Sequence, residues 1–263
     1  MPSKATLEAC LSRYSSSLET KQSSTSRSSN LVELDTWFRS SSLRESMWDK
    51  GYALNKDDLV KLMEWKLSRG KWRPSLSGYI ASNSASLIPN STRLSSPHFP
   101  LSLASAKRFV EYTCTLLKGV GPATASAILS VYDPTNEPFM SDQAMQHVAS
   151  RTDDEKSGKG KREYTTKSWE RFRGEMQKRK EEEGWETVEE LEKALWSFGI
   201  EKELGLPKGE DEEDGKVEGG KEKTKIEAKS KKRKSESNDE TGEDTTEKPS
   251  TKRRTRQSTK GDK

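Results

Sequence analysis

The chain has 263 residues, of which 29% are apolar and 34% charged, and its net charge is +4. So polar a composition excludes one fully packed globule, and so small a net charge says little about partners. Two cysteines, Cys10 and Cys114, and two histidines exclude a disulfide framework and a cysteine-ligated cluster and disfavour a metal enzyme, while no run approaches the roughly 18 apolar residues of a membrane helix.

Residues 1–30 contain ten serines and few large apolar residues. They read as a disordered segment, because too little surface is available to offset the entropy of ordering. They also lack the apolar core of a signal peptide, so an intracellular, reducing compartment is expected. All seven tryptophans fall within residues 31–206, which is long enough for one domain with a real core. Leu31, Leu34, Trp37 and Phe38 predict a short first helix. Asn55 reads as an N-cap, with Asp57 and Asp58 in the first turn. Leu59, Leu62, Met63 and Leu67 form a helical stripe that Gly70 stops. Pro74 opens another helix through Leu76, Tyr79, Ile80 and Leu87, and residues 89–100, with three prolines, read as a loop.

A hairpin of helices follows at about 102–132. Ala106, Phe109, Val110, Thr113, Cys114 and Leu117 fall at three-and-four spacing. Lys118-Gly119-Val120-Gly121 makes the turn, and Pro122 suits the first position of the next helix. Ala125, Ile128, Leu129 and Tyr132 give that helix its apolar face. The turn offers backbone N–H groups beside a helix N-terminus, which favours an anion such as a DNA phosphate. Asp142 then opens a helix bearing Met145 and Val148. Residues 152–163 read as a charged, mobile loop. Two late helices are expected at about 165–182 and 187–198. No strand is evident, so the fold class is all-α.

The run Leu117-Lys118-Gly119-Val120-Gly121-Pro122-Ala123-Thr124-Ala125, with Asp142 and the string Asp142–Arg151 after it, resembles the helix-hairpin-helix segment of the DNA glycosylase superfamily. The match is closest to the 8-oxoguanine and endonuclease III types and covers about 35 residues. Lys118 stands where the family has proline. The resemblance implies an all-helical, two-lobed domain, with DNA phosphate held by Lys118, Gly119, Val120, Gly121 and Thr124. It implies that Asp142 is the catalytic carboxylate, stabilising a cationic sugar or activating the attacking nucleophile during C–N cleavage. Ala123 occupies the position of the nucleophilic lysine of bifunctional members, so the resemblance implies a monofunctional enzyme that hydrolyses the N-glycosidic bond of a damaged base. No cofactor and no metal are expected.

Each of these residues has a plainer reading. Asp142 is also a favoured helix N-cap, Ala123 suits a scaffold without catalysis, and hairpins of this kind occur in protein-interaction domains. Trp65, Trp72, Tyr79, Tyr112 and Phe139 are the aromatics able to stack on a flipped base, but aromatics in helical stripes usually pack in a core. His147 is read as structural. Lys107 adds charge near the hairpin, and Trp65–Pro74 interleaves cations with aromatics, as single-strand or phosphate contacts do, though basic residues at a helix C-terminus are also ordinary dipole partners.

Residues 207–263 hold no aromatic residue and read as a disordered, charged tail. Its basic clusters, Lys231, Lys232, Arg233, Lys234 and Lys252, Arg253, Arg254, Arg256, read as nuclear import signals. The expected protein is thus nuclear and monomeric, with DNA and import receptors as partners. The alternative is a non-catalytic helix-hairpin-helix module that binds DNA or protein.

Overall fold

The computed structural model describes residues 1–24, 30–94, 98–149 and 164–205, all within one unit, Met1–Glu213. Loop 152–163, Arg151 and the tail with its basic clusters lie outside the described residues. Among the described residues every regular element is an α-helix: α1 Lys4–Ser12, α2 Tyr14–Ser24, α3 Leu31–Phe38, α4 Ser41–Asp49, α5 Lys56–Arg69, α6 Pro74–Ala81, α7 Leu87–Thr92, α8 Leu103–Leu116, α9 Pro122–Tyr132, α10 Asp142–Ala149, α11 Thr166–Glu183 and α12 Val188–Leu204.

Local chemistry sets most boundaries. Asn55 Oδ1 accepts the Asp58 N–H at 2.8 Å, and Gly70 caps the other end of α5. Thr187 and Glu190 form a reciprocal capping box on α12. Gly184 and Gly205 end α11 and α12 in the left-handed region.

The expected disorder of residues 1–30 is overturned over Lys4–Ser24. Leu7, Cys10, Tyr14 and Leu18 are buried. They fall at helical spacing and form a stripe that the serine-rich composition conceals. α1 and α2 both pack on α12. Arg13 clamps Glu201 of α12 with two hydrogen bonds of 3.0 and 2.8 Å. Two further expectations are corrected. The helix opened by Pro74 stops at Ala81, and α7 occupies the start of the expected 89–100 loop, with Pro89 in its first turn, where no N–H is needed. α4, capped by Ser40, went unread.

α9 is buried all round, from Ala123 to Tyr132. Ala123, Ala125, Ser126, Ala127 and Ser130 keep it slim, so neighbouring helices approach closely. Its serine hydroxyls are satisfied within the core: Ser126 Oγ donates to Ala123 O at 3.0 Å and accepts the Met140 N–H at 3.0 Å. That second bond ties the segment before Asp142 to the central helix.

Behind α9 lies a buried ionic and aromatic cluster. Asp35 accepts from Tyr14 Oη at 2.8 Å, Trp65 Nε1 at 2.8 Å and Arg39 Nε at 3.0 Å. Arg69 grips Glu192 through two bonds of 2.8 and 3.0 Å and lies over the Trp196 ring at 4.5 Å. Phe38 stacks on Trp65 at 3.5 Å. Each ion here has partners, as buried charge requires, and together they join α2, α3, α5 and α12.

Candidate functional site

The turn between α8 and α9 is held from within. Gly119 has φ +78°, and a Cβ there would meet Tyr79 Cβ at 2.9 Å and Leu76 O at 3.3 Å. Glycine is therefore required by both backbone and space. Gly121 differs: its φ is −118°, and nothing lies within 4 Å of the Cβ it lacks. Asn83, just beyond α6 and only 4% exposed, accepts the Lys118 N–H at 2.9 Å and donates to Lys118 O at 3.0 Å.

The residues expected to touch DNA therefore divide. Lys118 is exposed and Gly119 and Gly121 are partly so. Val120 and Thr124 point inward, and Thr124 is 2% exposed, with its N–H bonded to Gly121 O at 2.8 Å. These two shape the turn from inside rather than presenting side chains at its surface. Lys107 does not supply a spare charge, because it pairs with Glu170 at 2.7 Å.

Ala123, in the first turn of α9, lines a pocket with Asp142, Lys66, Gly70, Phe139 and Tyr164. The spacing between the hairpin and Asp142 thus brings both positions to one site. Asp142 is the first residue of α10 and not its cap: Ser141 Oγ accepts the Ala144 N–H at 3.3 Å. The carboxylate faces the pocket instead. Its Oδ1 accepts the Tyr164 hydroxyl, and its Oδ2 lies over Gly70, 3.8 Å from where a Cβ would sit. The pocket encloses about 30 Å³, room for one or two waters and far less than a base. Arg73 lies over the Tyr164 ring at 5.4 Å.

Lys66 is the group in this pocket that sequence reasoning placed only within the cation–aromatic run Trp65–Pro74, not beside Asp142. Burial lowers its pKa to about 8, with Arg73 acting in the same sense and Asp142 opposing. It forms no hydrogen bond or ion pair among the described residues. The signal for it was legible: Lys66 follows Leu62 and Met63 at three-and-four spacing, a cation on the apolar stripe of α5. Tyr164 gave no such signal.

The aromatic candidates separate by exposure. Trp65 and Phe139 are core residues, their rings 5.0 Å apart. Tyr79 is 55% exposed beside Gly119, and Tyr112 is 52% exposed on α8. His147 packs edge-on against Phe198 at 4.9 Å, as a structural residue would. Neither cysteine is in a disulfide, and the Cys10 thiol donates to Glu201 Oε2 at 3.5 Å. Among the described residues no cluster of three or more metal-type side chains occurs, and no helix is long and apolar enough to cross a membrane. Comparison with known proteins finds no matching family model, curated sequence or solved structure.

Proposed function

We propose that this chain is a DNA-binding protein of the helix-hairpin-helix glycosylase type, acting on the N-glycosidic bond of a damaged base with Asp142 as the catalytic carboxylate. The observation that carries the reading is the shared pocket of Ala123 and Asp142. The helix that follows the Gly-x-Gly turn and the helix that starts with Asp142 meet there, so a phosphate held at the turn sets the sugar near the carboxylate. The open space at Gly121 and the exposed Lys118 suit a backbone phosphate. With Ser141 serving as the cap, Asp142 is left to face a developing positive charge on the sugar. The basic clusters at 231–234 and 252–256 fit import to the nucleus, where the substrate lies.

One observation favours the alternative, a binding module without chemistry. The pocket has no room for a base while Tyr164 rests on Asp142. The enzyme reading therefore requires Tyr164 to leave that carboxylate when DNA binds. A release assay over damaged and mismatched duplexes, with and without alkali, tests the proposal. Released base from one lesion class supports it. Binding of duplex with no release from any lesion makes the chain a binding module.

A further inference from the structure

The turn between α8 and α9 is built as one piece with the end of α6. Gly119 lies against that helix, and a Cβ there would meet Tyr79 Cβ at 2.9 Å. The missing side chain lets Tyr79 come up against the turn backbone. Asn83 ties the two parts together. Its amide nitrogen donates to Tyr79 O at 3.1 Å and Ile80 O at 3.0 Å, and the same side chain holds the N–H and carbonyl of Lys118. The backbone beneath Tyr79 is thus fixed relative to the turn. The ring itself is 55% exposed and pairs with no other ring or cation among the described residues. Lys118, on the other side of Gly119, is exposed as well.

We infer that Tyr79 is a stacking platform for an unpaired nucleobase, which gives this chain a preference for single-stranded DNA over intact duplex. This rests on the reading of the turn as a DNA phosphate contact. A base and its own phosphate are separated by one sugar. A ring in contact with the turn therefore lies within reach of the nucleotide whose phosphate the turn holds. Inside intact duplex both faces of each base are covered by its neighbours, and uncovering one costs unstacking energy. A single strand offers its faces without that cost. Stacking on an aromatic ring accepts any base, because every base has a π-face. The phosphate contact carries no sequence information, so the ring adds selection for unpaired strand and not for a particular base. Gly119 and Asn83 set the backbone under the ring before binding, which leaves less to order when the strand arrives.

The test measures fluorescence anisotropy of the full chain with a labelled oligothymidine and with a blunt duplex of the same length. The single strand should bind more tightly. Tyr79→Ala should lower its affinity by about 5- to 150-fold, the range for one stacked base, and leave duplex affinity unchanged. Tyr79→Phe keeps the ring and should bind as the parent does. The loss in Tyr79→Ala should persist as salt rises, since stacking releases no counterions, while the affinity of every form falls. In parallel, an oligothymidine carrying 5-iodouracil is irradiated with the parent chain, and peptide mass mapping should place the crosslink on Tyr79. Tighter binding to duplex, no loss in a folded Tyr79→Ala, or equal loss for both DNA forms overturns the platform and leaves the phosphate contact standing. A chain that binds neither form overturns this inference and the functional reading beneath it. Should Tyr79→Ala fail to fold, the parent crosslink decides, and its absence from Tyr79 overturns the platform.

Discussion

Asn83 holds both backbone polar groups of Lys118, accepting its N–H at 2.9 Å and donating to its carbonyl at 3.0 Å. The same amide nitrogen also donates to Tyr79 O at 3.1 Å and Ile80 O at 3.0 Å, so it closes the end of α6 while fixing the turn between α8 and α9. Asn83→Ala removes the partner of both part-buried backbone groups of Lys118 and should cost about 1–3 kcal/mol. Asn83→Asp keeps the acceptor but sets a carboxylate against three carbonyls and should cost at least as much. Urea denaturation measures both. If the turn is the phosphate contact, duplex affinity should fall further than the loss of folded protein explains.

The two turn glycines make opposite predictions. Gly119→Ala meets a positive φ and a clash with Tyr79 Cβ, and should destabilise by about 1–3 kcal/mol. Gly121→Ala has an extended backbone and free space, so melting should be unchanged. Its expected effect is on DNA alone, as a loss of affinity similar across sequences, since phosphates carry no code. Unchanged affinity over several salt concentrations would remove the turn from the interface.

Asp142→Asn should fold like the parent, because Ser141 and not Asp142 caps α10. If Asp142 is the catalytic carboxylate proposed above, base release should fall by about 10²-fold or more. A fully active Asp142→Asn would show that another group carries the chemistry.

Tyr164→Phe removes the hydroxyl that occupies Asp142. A hydrogen bond to a charged group contributes about 1.5–3 kcal/mol. Its removal should favour the state that admits a nucleotide, raising single-turnover release up to about tenfold. A fall in rate would instead assign Tyr164 to substrate contact.

The buried Asp35 sets an acid limit on the fold. Burial alone would raise its pKa, but Arg39 and Arg69, with the bonds from Trp65 and Tyr14, hold it below its usual value. A carboxylate depressed on folding stabilises fully above its unfolded pKa of about 3.9 and loses that contribution as pH falls through the folded value. Asp35→Ala should cost about 3–5 kcal/mol at pH 7, the scale for breaking a buried ion pair. The gap to the parent should narrow as pH falls below about 3.9 in urea titrations.

Much of the helical architecture was legible because its signals are local. Asn55, Gly70 and Pro122 mark helix ends through their own backbone chemistry, and the apolar spacing of α3, α5 and α8 survives without knowledge of neighbours. α1 and α2 were lost because composition averages over a window, and ten serines outweigh the four buried apolar residues that anchor the segment to the core. α4 was lost because its burial rests on only two residues, Leu43 and Met47.

The sequence by itself determined the all-helical class, the Gly-x-Gly turn with its following helix, and the position of Asp142 at a helix start. Each depends on spacing along one strand of backbone, which a sequence records directly. Only the tertiary structure decided what surrounds Asp142. Lys66, Ala123 and Tyr164 come from three separate parts of the chain, and only the packing of α5, α9 and α10 around one core sets them on one pocket. It also decided that Ser141 caps α10, that Gly119 rather than Gly121 needs its glycine, and that Thr124 faces inward. Distances between side chains on different helices follow from how those helices pack, and no pattern along a single helix contains them.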